Sequence, residues 1–516
     1  MEKFTLLVGG KDLDTGIYHY FPFTEKLVAE PQKTVRMLKK VKQGQVSREI
    51  QKYVYAQYCI NTEDTNRAAI ESAYKAQKIF FKFSLSKRRR ILLDIYKLLI
   101  ENRKKFIELL IIEGHPRRLA EWEFEGMQIG SSPTTINFYC QLIQKELGRC
   151  GREILYWVRR PDGVVCVSSP GNASASSSYN AILAFLTGNT LIIKPPLRAP
   201  LSTLFLWKEI VNKALVINNA PPGVLNIVIG NSQKIMEEWL ASPYVNDIVY
   251  FGESRKGLEI GTRIFQAEKK PVLELSGNDF FLVWKDAEKE KSSISLTDAF
   301  LGSTQICMVP KIALIHEEVY DDFVKIFIEK VKKLKIGPPT DPDTIFSPVT
   351  KIQDFFEFLN DALAKGGEIL YGGERVDCFG RPDSTGMYIQ PTLLKIEDCY
   401  LNRGLRCIEE EIFFPLLPLI RVSGGDEAIF EKMVELVNSH GYGLRVSLWI
   451  SSFKFLRKFA KELSNCGMLR INSRHVGFSY YLSTHGGTRK TGGPFGEMNY
   501  FWQKTSHLQG VSRMRL

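Results

Sequence analysis

From residue 163 onward, short continuous apolar runs alternate with helical stretches, and this alternation restricts the possible folds more than any other feature. "GVVCVSS" (163–169) leads into a helical "YNAILAFLTG" and then "NTLIIKP". After "LSTLFLWKEIVNKAL" come "VLNIVIG", "SQKIMEEWLAS", "VNDIVYFG", "SRKGLEIGTRIFQAE" and "KPVLELSG". A strand that is apolar at every position is covered on both faces, and strands separated by helices are joined by crossovers into a parallel sheet. Residues 163–285 are therefore expected to form a Rossmann-like unit. A second alternation starts near 292 with "SSISLTDAFLGSTQ", "KIALIH" and "EEVYDDFVKIFIEKVKKLKIG", and later "FFPLLPLIRV" and "RVSLWIS". It predicts a second α/β domain.

Ahead of this region, 65–149 carry apolar residues at three- and four-residue spacing, which predicts helices. In "SKRRR" (86–90), Ser86 is expected as an N-cap. The basic residues then fall on solvated turns, with a nucleic-acid or targeting patch as the alternative. The 516 residues suit two or three domains. No apolar run approaches the roughly 20 residues that span a bilayer, and the first residues, "MEKFTLLVGGKDLD", lack a secretory pattern. A cytoplasmic chain without membrane partners is expected. Nine cysteines, with no CxxC pair, and seven scattered histidines argue against a disulfide framework and against a metal site. The net charge of +12 favours polyanions, among them phosphorylated cofactors.

No GxGxxG follows a strand. "FGESRKG" places Gly252 and Gly257 around a strand-to-helix turn, where helix amides favour a phosphate. Six short segments occur in order: "SSPGN" with Asn172, "TGNTLIIKP" with Lys194, "FGESRKG", "LELSGN" with Glu274, "QIC" with Cys307, and "EEEIFFP" with Glu411 and Phe413. This series resembles the aldehyde dehydrogenase superfamily from about residue 65 onward, and "IIEGHPRRLAE" (111–121) is similar to its Glu-x-Gly-Lys-Pro segment.

The resemblance implies NAD(P)-dependent oxidation of a small-molecule aldehyde to a carboxylic acid through a cysteine thioester. Cys307 would be the nucleophile and Glu274 the base. The Asn172 side chain and the Cys307 amide would form the oxyanion hole; the alternative for Asn172 is a helix cap. Lys194 would hold the adenosine ribose, while Glu411 and Phe413 would position the nicotinamide. The implied fold has a cofactor domain (1–148 and 163–276), a catalytic domain (277–484) and a small β oligomerisation element (149–162 and 485–516). A homodimer or homotetramer is implied.

Four departures matter. Leu197 stands where the family often has a ribose-binding Glu, and Arg198 follows it, which leans toward NADP or dual use. Glu253 replaces a small Ser beside the phosphate loop. "ASASSS" (173–178) replaces bulky residues and suggests a wider tunnel, which leans toward a bulky or long substrate. Thr304 and Phe414 replace glycines, whose backbone freedom they lack. Two other readings stay open: a CoA-linked relative, against which Glu274 speaks, and a non-enzymatic scaffold or nucleic-acid-binding protein.

Overall fold

The computed structural model describes residues 1–514. A seven-stranded sheet runs in the order Lys270–Glu274, Val245–Phe251, Val164–Ser168, Thr190–Lys194, Leu225–Ile227, Leu6–Val8, Lys11–Leu13. Its first five strands are parallel, and the last two are added antiparallel. The strands Val164–Ser168 and Thr190–Lys194 are buried at every position, as their unbroken apolar runs require. The chain leaves Val164–Ser168 toward one edge and later returns to its other side at Val245–Phe251. At such a reversal, the crevice beyond the strands' carboxyl ends is open to a ligand.

A second sheet has seven strands in the order Glu368–Tyr371, Thr392–Glu397, Leu416–Val422, Pro310–His316, Asp279–Val283, Arg445–Trp449, Met468–Ile471. Only the Glu368–Tyr371 edge pairs antiparallel. Separate apolar clusters fill the two faces of this sheet. The mixed α/β architecture with a Rossmann-like unit and a second α/β sheet is the one anticipated.

A third, antiparallel sheet joins Gln144–Cys150, Glu153–Pro161 and Ser506–Met514. It begins at 144, where a helix was expected. "QKELGRC" is nearly all exposed and polar, so neither apolar periodicity marks it. Residues 485–505, expected in this element, run past the carboxyl edge of the first sheet, and Phe501–Lys504 packs into the apolar cluster around that sheet. Residues 515 and 516 of that expected element lie outside the described residues.

The basic stretch differs from expectation in a way that bears on function. The helix is Leu85–Glu101, and Ser84, not Ser86, caps it by accepting from the Lys87 amide at 3.2 Å. Arg88 lies against Gly188, where burial pulls its guanidinium pKa down to about 10, and Arg89 donates to Asn137 at 2.6 Å. Two of the three arginines thus brace the fold.

Candidate active site

Four of the predicted residues leave the carboxyl ends of neighbouring strands in the first sheet. Asn172 lies four residues beyond Ser168, Lys194 ends its strand, Gly252 follows Phe251, and Glu274 ends Lys270–Glu274. Cys307 and Glu411 stand just ahead of Pro310–His316 and Leu416–Val422 in the second sheet. These ends line one cleft of about 590 Å³ that includes Asn172, Lys194, Gly252, Glu274, Cys307 and Glu411. Phe413 and Arg198 line it as well. Gly257 does not: a Cβ there would meet Leu275 Cδ2 at 2.2 Å, so this glycine lets its helix press on the strand end.

The thiol sits at the end of a strained loop. Gly302, Ser303 and Thr304 all have left-handed φ, at 61°, 57° and 61°. Non-glycine residues held there store about 1–3 kcal/mol each. Side chains pin the turn: Ser303 Oγ donates to the Ser347 carbonyl at 2.6 Å and Thr304 Oγ1 to Ala299 at 2.8 Å. Gln305 Nε2 donates to Pro348 at 2.8 Å, and its Oε1 accepts from the Thr350 amide and hydroxyl at 3.1 and 3.0 Å. Thr304 thus adopts the glycine-like conformation with its hydroxyl as an anchor.

Asn172 joins this loop to the first sheet. Its Nδ2 donates to the Gln305 carbonyl at 2.8 Å, while the helix Ser174–Tyr179 starts at Ala173 with no side-chain cap. An amide nitrogen carries two N–H groups; one is spent on Gln305, which aims the group, and the second is left for another acceptor.

Cys307 is half-buried and opens on the cleft. Burial, and then the carboxylate of Glu411, push its pKa up to about 12, with Lys311 partly offsetting them. The resting sulfur is a protonated thiol. Glu274 is buried, and burial raises its pKa to about 7 even though its oxygens accept from Asn499 Nδ2 at 2.8 Å and the Gly486 amide at 2.9 Å. The cleft therefore holds one thiol and one carboxyl that changes protonation near neutrality, the range in which a general base works best.

Glu411 accepts from Lys311 Nζ at 2.9 Å and from the Gly277 amide at 3.2 Å. Lys311 is fully buried, and its ammonium also lies 5.3 Å from the Phe413 ring centroid. Sequence reasoning missed this lysine. Its signal was a lone cation at the head of the apolar run "PKIALIH". Removing one partner of a buried pair strands the other charge, so Lys311→Met is expected to cost about 3–5 kcal/mol of unfolding free energy. Urea denaturation monitored by tryptophan fluorescence measures it.

On the other flank of the cleft, burial lowers the Lys194 pKa to about 8, and among the described residues its ammonium has no ion-pair partner. Arg198 is exposed and lies across Gly171, where a Cβ would meet its Nε at 2.1 Å. Glu253 occupies the N-cap position of Ser254–Gln266 without a side-chain cap bond. It forms no ion pair with Arg255 or Lys256 among the described residues. Phe414 is buried between Phe355 and Phe358 and does not line the cleft. The widening expected from "ASASSS" is limited from beside that helix: Phe478 presses on Gly126, where a Cβ would lie 2.5 Å from its Cζ, and Trp122 packs against the same ring at 5.1 Å.

The chain is similar to known proteins over most of its length. The model of the aldehyde dehydrogenase family matches residues 39–511. The chain is 28% identical to a lactaldehyde dehydrogenase of Methanocaldococcus jannaschii over 451 residues, covering 86% of this chain and 92% of that protein. It is 30% identical to an NADP(+)-dependent D-glyceraldehyde dehydrogenase of Picrophilus torridus over 416 residues, covering 78% and 80%. The crystal structure of the glyceraldehyde-3-phosphate dehydrogenase GapN from Methanocaldococcus jannaschii, complexed with NADP, aligns with a TM-score of 0.77 at 26% identity, covering 90% of this chain and 97% of that one.

Proposed function

The chain belongs to the aldehyde dehydrogenase family, and from that premise we propose that it oxidises an aldehyde to a carboxylic acid with NAD(P)+, using Cys307 as nucleophile and Glu274 as base. The observation that carries the reading is the meeting of Cys307, Glu274 and Asn172 in one cleft between the two sheets, with Asn172 anchored on the loop of the thiol.

The reaction divides among these residues as follows. Glu274, ionised above pH about 7, takes the Cys307 proton directly or through one water, because the thiolate is the attacking species. The sulfur adds to the carbonyl carbon. The free N–H of Asn172 and the Cys307 amide hold the resulting alkoxide, each such donor being worth about 2.7–4 kcal/mol in the transition state. A bound nicotinamide supplies the acceptor for the hydride that leaves this carbon. Cys307 then carries a thioester, and Glu274 removes a proton from the water that cleaves it. A buried base tuned near neutrality favours water over a thiol such as CoA as the acyl acceptor, since a thiol needs less help.

Residues fitted to a dinucleotide stand along the opposite flank. Lys194 brings an unpaired ammonium to hydroxyls and phosphates, the amino end of Ser254–Gln266 faces the cleft beyond Gly252, and Glu411 with Phe413 borders the thiol. Arg198 lines the same cleft as Lys194 and has no carboxylate partner among the described residues, which favours a cofactor bearing a 2′-phosphate. Arg198→Ala is expected to lower kcat/KM for NADP about 10–100-fold, the worth of a charged hydrogen bond, and to leave the NAD value within a few-fold. Initial rates with both cofactors test this.

Three domains are proposed from the sheets: a cofactor domain around the first, a catalytic domain around the second, and an assembly element made of Gln144–Cys150, Glu153–Pro161 and Ser506–Met514. The strand Ser506–Met514 has an unpaired edge with exposed Leu508 and Met514, and an unpaired edge is a ready template for another chain. A homodimer or homotetramer is proposed on that ground. Among the described residues, no helix is long and apolar enough to cross a membrane. All nine cysteines are unpaired, which supports a reducing, cytoplasmic setting. A panel of aliphatic, aromatic and semialdehyde substrates, run with each cofactor and followed by absorbance of the reduced form, tests the reading. Absence of turnover with every member would end it.

A further inference from the structure

The cleft is electrically lopsided. Its lysines and arginine are Lys194, Arg198 and Lys256, on the flank assigned to the cofactor, and Lys351, which follows the Thr350 that donates to Gln305. The wall built from Arg117–Gly130, Ser174–Tyr179 and the 478–485 segment contributes Trp122, Glu123, Ser176, Ser177, Thr484 and His485, and no lysine or arginine. Behind this wall Arg445 is fully buried and donates to the His475 and Thr484 carbonyls, so a substrate with a second carboxylate would meet no cation at the wall's surface.

That wall nevertheless contains one carboxylate. Glu123 is almost fully buried. Its Oε1 lies 2.5 Å from His115 Nδ1, and its Oε2 accepts from Ser176 Oγ at 2.5 Å. Burial lowers the His115 pKa, but the adjacent Glu123 charge more than offsets it and leaves the pKa above its ordinary value. Both Glu123 oxygens are thus already engaged, one by His115 and one by Ser176, which weakens the pull a bare carboxylate would have on an ammonium. On the same wall, burial and then the nearby Arg445 push the His485 pKa down to about 3. Its Nδ1 lies 2.7 Å from Thr484 Oγ1 and 3.2 Å from Asn180 Nδ2.

The hydrogen-bonding sense of this dyad is fixed. A serine hydroxyl has one proton and two lone pairs. The Ser176 proton is spent on Glu123, so Ser176 can offer the cleft only acceptors, and so can the remaining lone pairs of Glu123. A donor on the substrate is welcome; an apolar group wastes the acceptors, and an anion is repelled. Leaving such buried polar atoms unpaired is what gives hydrogen-bonding sites their discrimination. Phe478 over Gly126, backed by Trp122, closes the space beyond.

We propose that the preferred substrate is a short, uncharged aldehyde carrying a hydroxyl near the carbonyl, and that Ser176, oriented by Glu123 and His115, accepts the proton of that hydroxyl. The proposal rests on the aldehyde-oxidising reading above. Ser176 is the specificity residue, and Glu123 and His115 position it.

The test measures kcat/KM with full-length protein and NADP for lactaldehyde, propanal, succinic semialdehyde and 3-aminopropanal. Propanal differs from lactaldehyde only by the hydroxyl, and the last two carry opposite charges. Lactaldehyde is expected to exceed propanal at least tenfold and both charged substrates by more. Ser176→Ala should lower the lactaldehyde value about tenfold more than the propanal value, while Ser176→Thr, which keeps the hydroxyl, should retain the preference. A thermal melt confirms that each variant is folded. Equal use of propanal and lactaldehyde, a preference for either charged aldehyde, or an unchanged ratio in Ser176→Ala overturns the inference while aldehyde oxidation itself stands. No turnover of any of the four removes both.

Discussion

Cys307→Ala is expected to lower kcat by about four to six orders of magnitude, the scale on which loss of a covalent nucleophile acts. The size follows from the step it removes. Without Sγ no thiohemiacetal forms, so the hydride must leave a hydrated aldehyde that no residue of the cleft holds covalently. Intact-mass analysis after mixing parent enzyme, cofactor and aldehyde should show an acyl increment on the Cys307 peptide, and the variant should show none. Cofactor affinity, followed by fluorescence titration, should change little, because the proposed dinucleotide contacts are Lys194, Arg198, Glu411 and Phe413. Turnover above about one-hundredth of the parent would remove Cys307 from its role.

Glu274→Gln is expected to slow steady-state turnover about 10²–10⁴-fold, the range of a positioned general base, and to leave acyl-enzyme standing. Because Glu274 is proposed to act both on the thiol and on the hydrolytic water, hydroxylamine should partly restore turnover of the acylated variant by replacing the water. The pH profile carries the second signature. Burial raises the Glu274 pKa to about 7, so the rising limb of kcat in the parent should lie near that pH and be absent from the variant. Stability obeys the same linkage. A carboxyl whose pKa is about 4.5 unfolded and about 7 folded binds its proton more tightly in the folded state across that window, so it subtracts stability as pH rises through it. Relative to Glu274→Gln, the parent should therefore lose unfolding free energy between pH 5 and pH 8. Parallel pH dependences in urea titrations would contradict the raised pKa.

The parts of this picture that could be read from the chain are those written locally. Val164–Ser168 and Thr190–Lys194 are visible because every residue is apolar, and Cys307, Glu274 and Asn172 are visible because each lies in a short segment with a recognisable neighbour pattern. What escaped depends on distance along the chain. Lys311 meets Glu411 100 residues away, and Asn499 meets Glu274 across 225; no window contains both partners. Gln144–Cys150 escaped because an exposed ribbon strand needs no apolar face, and a charged one resists aggregation. Ser84 and Ser86 satisfy the same capping rule, and only the backbone decides between them. Gly257 looked like a phosphate-loop residue, yet the space its missing Cβ provides is filled by Leu275.

The clamp on Glu274 has a consequence for the timing of synthesis. Gly486 and Asn499 both hold this carboxyl, and both are translated well after Cys307. A ribosome that has released the thiol has therefore not yet released the groups that orient its partner. The nascent chain presents a thiol with no seated base, so the reactive centre is not assembled until the chain through Asn499 has emerged and folded around it.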